Sequence, residues 1–202
     1  MNESLITLVD GRKVYRRGAE LAFPKVDVSR GSFLGIYGDN ATGKSTLLKI
    51  LARITLLSSG TLLWAESLRR KRIVFVPQSG GLYLNLTIQE NFRLYARLYD
   101  CASSAEPIFE ALGLSLSSKQ SVRTLSGGYQ RLAAIACALG VDPQGIFVDE
   151  PFNGLDEDHT SALVGLIAAL KHRVEFIVGT NHGTFGYGLF SSQLILAKPA
   201  RL

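Results

Sequence analysis

The chain of 202 residues has only two cysteines, Cys101 and Cys137. Two cysteines cannot build a disulfide framework, so the fold must rest on its core. Long hydrophobic runs are missing too. The longest mostly apolar stretches, at 132–141 and 162–170, fall short of the ~20 residues that a bilayer span needs. The N-terminus carries Glu3, lacks a basic cluster and has only a brief apolar stretch at 5–9, which does not read as a signal peptide. No repeat and no low-complexity tract stands out. Charge is scarce as well: 19% of residues are charged, against a usual ~25%. These absences together lead to the expectation of an intracellular protein with reduced thiols.

What is present fits a globular fold. Hydrophobic residues make up 47% of the chain, enough for a sizeable core and too many for disorder. Lys and Arg number 22 against 17 Asp and Glu, a net charge of +5. Mild basicity suits a membrane surface, a nucleotide or a nucleic acid and separates none of them. Short runs rich in Val, Ile and Phe alternate with helical patterns, which predicts α/β. The expected strands lie at 5–9, 32–37, 61–64, 72–76, 145–148, 174–178 and 193–196. Helices are expected to start near Lys44, Thr87, Ser103, Gly127 and Glu157. Strand signals vanish between Thr87 and Leu125, so that stretch predicts a helical insertion. Within it, Ile88, Phe92, Tyr95 and Tyr99 form one stripe of a helix, with Thr87 and Glu90 spaced as a capping box.

Gly38-Asp39-Asn40-Ala41-Thr42-Gly43-Lys44-Ser45 fits GxxxxGK[ST] between an apolar strand and a helical pattern, the context this motif requires. Backbone N–H groups of such a loop converge on phosphate oxygens, and the helix points its positive end at them. Lys44 is placed to reach the β- and γ-phosphates, and the Ser45 hydroxyl to ligate Mg2+. The motif predicts nucleotide phosphates and does not separate a kinase, a GTPase and an ATPase. Downstream, the apolar run 145–148 ends in Asp149 and Glu150. A parallel core strand would carry both to the sheet edge that holds the phosphate loop. There Asp149 can hold Mg2+ through its hydration shell, and Glu150 can orient or deprotonate an attacking water.

Leu125-Ser126-Gly127-Gly128-Tyr129-Gln130-Arg131 offers a hydroxyl and two glycine N–H groups at a helix start, an anion site with no lysine nearby. With this motif the chain resembles the ATP-binding subunit of ATP-binding cassette (ABC) transporters, of a small exporter-like type, over nearly its whole length. Further stretches match in family order. Phe75-Val76-Pro77-Gln78 is similar to the Q-loop, with Gln78 near Mg2+ and water. Asn153-Gly154-Leu155-Asp156 is similar to the D-loop, where Asp156 is either a helix cap, a link between ATP sites, or both. Thr180-Asn181-His182 resembles the switch region, with His182 on the γ-phosphate. Tyr15 resembles the aromatic that stacks on adenine.

The resemblance implies one ABC ATPase domain, 1–202: a P-loop NTPase core, an N-terminal antiparallel β portion and an inserted α-helical lobe at approximately 84–128. It implies ATP and Mg2+ as ligands held by Tyr15, residues Gly38 to Thr46 in turn, Gln78, Asp149 and Asp156. Lys44, Glu150 and His182 take the catalytic roles. Ser126, Gly127 and Gly128 come from a second ABC subunit, homologous or identical, so that two ATP molecules are sandwiched. The implied partner is a separate membrane permease, with no nucleic acid, and the implied place is the cytoplasmic face of the membrane. A soluble ABC ATPase without a permease, as in iron–sulfur assembly, is the alternative. The chain departs from common family patterns at Ala41, where the loop must tolerate a Cβ, and at Asn153-Gly154. His159 and His172 read as solvated helix residues, Cys137 as core and Trp64 as an ordinary strand residue. The run Arg69, Arg70, Lys71 and Arg72 reads as a solvated turn, with anionic lipid as the other reading.

Overall fold

A computed structural model describes residues 3–16, 19–101, 105–170, 173–181 and 190–197. In chain order the first half holds β1 (Ser4–Val14), β2 (Glu20–Ala22), β3 (Val26–Ser29), β4 (Ser32–Tyr37), α1 (Lys44–Leu51), β5 (Ser59–Trp64) and β6 (Ile73–Val76). The second half holds α2 (Ile88–Leu98), α3 (Glu106–Ala111), α4 (Gly127–Gly140), β7 (Gly145–Val148), α5 (Glu157–Leu170), β8 (Phe176–Asn181) and β9 (Ser192–Ile195).

The strands that read as unbroken apolar runs are buried on both faces. Along β7, Ile146 and Val148 enter one apolar cluster and Phe147 the other; along β8, Ile177 faces the first, and Phe176 and Val178 the second. That two-residue alternation with no polar face is what a covered parallel sheet demands. The sheet has the order β6-β7-β8-β4-β9, all parallel. One face is covered by α1 and the antiparallel layer, in which β1 pairs with β2, β3 and β5. The other face is covered by the apolar α4, by α5 through Leu163, Ile167 and Leu170, and by α3 through Phe109. Parallel pairing brings every strand's carboxyl end to one edge. In register, Val76 lies beside Val148, Val148 beside Gly179, and Tyr37 beside Asn181. The residues that follow β4, β6 and β7 therefore meet at that edge.

Several boundaries differ from the sequence expectation. β1 runs on to Val14, because a bulge between Val9 and Arg12, with Asp10 at φ 51°, breaks the alternation without ending the strand. β2 and β3 are too short to show a period. β8 starts two residues later than expected and reaches Asn181. The helix start expected near Ser103 lies outside the described residues, and α3 begins at Glu106. Between Thr87 and Leu125 the described residues contain no strand, only a bridge between Thr87 and Ser121.

The capping box of α2 is formed: the Thr87 hydroxyl accepts from the Glu90 N–H at 3.2 Å, and the Glu90 carboxylate accepts from the Thr87 N–H at 2.8 Å. The helix stripe is packing. Ile88 is buried, and Phe92 meets Phe109 edge-on at 5.5 Å. Asn91, which carried no sequence signal, is buried beneath this turn and bonds both the N–H and the carbonyl of Tyr83.

Neither cysteine is in a disulfide, and burial pushes the Cys137 thiol up to about 12. Trp64 lies in β5 with Arg53 over its ring. Three of the four cations at 69–72 sit beside carboxylates: Arg69 by Glu66, Lys71 by Glu175, Arg72 by Asp142. No helix among the described residues is long and apolar enough to cross a membrane.

Candidate nucleotide site

Helix α1 begins without a side-chain cap. Its N-cap is Gly43, and its first turn carries no acidic residue. Unsatisfied N–H groups at a helix start need a partner, and an anion is the partner that suits them. The loop leading in is tightly built. At Gly38, a Cβ would stand 2.5 Å from the Leu196 carbonyl oxygen, so a side chain there would force β9 away. Ala41 has φ 64°, so the departure from glycine places the smallest side chain in a left-handed conformation. The Lys44 ammonium folds back into the loop and donates to the carbonyls of Gly38 and Asp39, both at 2.8 Å. Burial lowers its pKa, and Glu150, Asp149 and Asp39 oppose the shift. Thr42 closes the turn by donating to the Asp39 carbonyl at 3.0 Å.

Across the edge stand the two carboxylates that follow β7. Both are buried. Asp149 accepts from the Ser45 hydroxyl at 2.9 Å and from the Thr180 hydroxyl at 2.6 Å, so β7, β8 and α1 are tied at one atom. A hydroxyl and a carboxylate in contact form a donor set of hard oxygens, the kind that suits Mg2+. Among the described residues no three His, Cys, Asp or Glu side chains cluster. Ser45 and Asp149 would thus supply part of a Mg2+ shell, the rest coming from water or phosphate oxygens. Glu150 sits at φ 52°, its N–H bonded to the Thr180 hydroxyl at 2.8 Å. Its carboxylate accepts from the Gln78 amide at 2.8 Å and from Asn153 at 3.4 Å.

Arg131 and Thr180 stand within the signature and switch motifs, but the sequence assigns neither a role. Arg131, on the second turn of α4, is buried and donates to the Pro77 carbonyl and, at 2.6 Å, to the Asp149 carbonyl. It stitches the chain beside Gln78 to the chain beside Glu150. Burial draws its guanidinium down to about 10, while Asp149 and Glu150 oppose the shift. The signal that could have found it was a lone cation directly before ten residues that all read as core.

The third part of the site is the start of α4. Ser126 caps it, accepting from the Tyr129 N–H at 3.3 Å. A hydroxyl that accepts keeps its own hydrogen to donate. Ser126 and Gly127 are exposed, and a Cβ on Gly127 would meet open space. Asp156 caps α5 by accepting from the His159 N–H at 2.9 Å, so the cap reading of Asp156 holds. His159 is not the solvated residue expected. Its Nδ1 lies 2.7 Å from the Asp156 carboxylate, and its ring packs edge-on against Tyr129. Tyr15 lies beside α1 with its hydroxyl 2.8 Å from that of Thr46, and 41% of its surface is exposed. His182 and His172 lie outside the described residues.

The structure thus gathers Gly38 to Thr46, Tyr15, Gln78, Asp149 and Glu150. The hydrogen-bond partners of Ser126 stay within its own helix. Residues 23–153 match the family model described as ABC transporter. The chain belongs to the ABC transporter family. It is 32% identical to the doxorubicin resistance ATP-binding protein DrrA of Mycobacterium tuberculosis, over 84% of this chain and 56% of that protein. It is 39% identical to the Nod factor export ATP-binding protein I of Azorhizobium caulinodans, over 67% of this chain and 46% of that protein. The chain therefore spans about half the length of these two ABC relatives. Among solved structures it is similar to a dimeric bacterial ABC transporter cassette, with TM-score 0.80, 25% identity, and coverage of 98% of this chain and 97% of that one. The P-loop NTPase fold with its parallel sheet is the one such ABC cassettes have.

Proposed function

We propose that this ABC protein is the ATP-hydrolysing subunit of a transporter and that residues 1–202 form one ATPase domain with a helical lobe at 84–128. One observation carries the reading: Lys44, Ser45, Asp149, Glu150 and Gln78 converge at the edge where an uncapped helix start faces out.

The loop N–H groups and Lys44 bind and neutralise the phosphates of ATP. Tyr15 stacks on adenine, its ring fixed beside α1 through Thr46. Bound Mg2+ would neutralise phosphate charge and hold the phosphate oxygens in line; Ser45 and Asp149 would hold it, with Gln78 beside it. Glu150 orients a water and takes its proton. Its contacts with Gln78 and Asn153 hold the carboxylate ready, and both can exchange for that water. His182 acts on the γ-phosphate, a role supported by the register of Asn181 with Tyr37, the residue before Gly38. Ser126, Gly127 and Gly128 complete the site of a second ABC subunit, and Asp156 sits at the joint between the two. Loss of the γ-phosphate removes the bridge, the pair opens, and the motion passes to a membrane permease near Gln78 and the helical lobe. Export is the favoured direction, because both relatives named above act in export or drug resistance. The place is the cytoplasmic face of the membrane.

In the test, Glu150→Gln should still bind ATP and hydrolyse it at least ~100-fold more slowly. The variant should elute as a dimer with ATP in size-exclusion chromatography. A monomer at every ATP concentration would count against the sandwich. Co-purification with a membrane protein from detergent extracts separates the transporter from a soluble ABC ATPase.

A further inference from the structure

The turn at 151–156 and the first turn of α4 come from different parts of the chain, yet they touch. A Cβ on Gly128 would stand 2.8 Å from the Gly154 carbonyl oxygen, so only glycine lets the helix start lie against that turn. Two rings close the same joint. Tyr129 and His159 meet edge-on, with centroids 4.7 Å apart and planes at 74°. His159 is held from its other side by Asp156, which accepts both its backbone N–H and its ring Nδ1. The hydrogen bonds from His159 keep the Asp156 carboxyl below the usual carboxylate range. Asp156 is thus ionised at neutral pH and can only accept, which puts a hydrogen on Nδ1. The ring is thereby fixed at one angle, with one edge on the carboxylate and the rest against tyrosine. Its side chain is 22% exposed, little for a residue on the outer turn of a helix.

We propose that Tyr129 and His159 form a clasp locking the 151–156 turn to the start of α4, with His159 as a positioning residue that makes Ser126-Gly127-Gly128 and Asp156 one rigid docking face for a second subunit carrying ATP. This rests on the sandwich reading above and adds a residue pair to it. The clasp acts at closure. A single subunit binds its own ATP through the loop at 38–45, whereas the ring contacts of Tyr129 and His159 are to each other and to Asp156. Formation of the sandwich requires the serine cradle and the Asp156 turn to arrive together. A pre-assembled face reduces the ordering that docking would otherwise demand.

The test uses Glu150→Gln as parent and reads two quantities. The first is ATP-dependent dimerisation by analytical ultracentrifugation, with ATP affinity of the dilute monomer as control. The second is hydrogen exchange of the amides at 152–156 in the nucleotide-free monomer. His159→Ala should weaken dimerisation about 3- to 10-fold, the range of one ring pair, leave monomer ATP affinity unchanged and speed exchange at 152–156. Tyr129→Ala should do the same, and the double variant should be no worse than either single one. His159→Phe, which keeps a ring but loses the Asp156 anchor, should recover part of the loss. Unchanged dimerisation and exchange in His159→Ala would overturn the clasp, as would effects of the two single variants that simply add. A parent that never dimerises would overturn the sandwich and this role with it. Faster exchange in His159→Ala alongside undiminished dimerisation would reduce the pair to a local structural contact and reject the docking role.

Discussion

Two edges of this molecule, both proposed to meet phosphate, hold their polar groups in opposite ways. At the loop edge the key side chains already have partners within the chain: Lys44 on two carbonyls, Ser45 on Asp149, Gln78 on Glu150. At the start of α4, Ser126 reaches only its own helix, and the glycine after it faces open space. The first edge is a finished half, its side chains held by internal bonds. The second is an exposed surface whose hydroxyl, among the described residues, meets only the N–H of its own helix. The division lies between two folded surfaces within each chain, and the proposed sandwich is the arrangement that would bring one of each together.

Ser126→Arg should break the comparison most sharply. A bulky cation on the donor surface should abolish turnover in a coupled phosphate-release assay while a dilute monomer binds ATP as before. If both are lost, residue 126 serves its own subunit's pocket and the two edges are one. Lys44→Ala attacks the finished half. Loss of the buried donor should weaken ATP binding by about 100-fold, read by equilibrium dialysis, and unchanged affinity would remove Lys44 from the site. Arg131→Met probes what keeps the finished half in place. It strands the carbonyls of Pro77 and Asp149 and leaves two buried carboxylates without their guanidinium. The expected loss is about 3 kcal/mol in a urea titration; a change below a few tenths would show that the stitch is idle. Thr87→Ala is the smallest and sits away from both edges. Removing the capping box of α2 should lower stability by about 1 kcal/mol and leave ATP affinity unaltered.

What the sequence made legible follows from how each feature is encoded. The phosphate loop and the signature stretch are local, so their glycines, lysine and serines could be read in order. The parallel sheet was legible because strands buried on both faces leave continuous apolar runs, as β7 does. β2 and β3 left no trace because three or four residues hold no period. Arg131 went unseen because its partners are backbone carbonyls 18 and 54 residues away, which no residue type announces. The fate of His159 was hidden for a related reason. Its Asp156 contact is local, but Tyr129 lies 30 residues earlier and only the fold brings the rings together. Ala41 could be read as a departure, and its left-handed φ supplies the physical limit: a β-branched residue there would strain the loop.

The two-sided sheet sets a rule for anyone who would trim this protein. A fragment starting at Ser32 keeps the whole loop at 38–45 together with Gln78, Asp149 and Glu150. It also strips the cover from Leu34, Ile36, Leu47 and Val178, all of which pack with Leu5, Ile6, Leu8, Val26 and Val28. That oily slab, bared to water, is a recipe for inclusion bodies. The thin N-terminal layer, which reaches the candidate site at Tyr15 beside Thr46 and at Leu21 and Phe23 beside Gly43, is the coat without which a minimal nucleotide binder could not stay in solution.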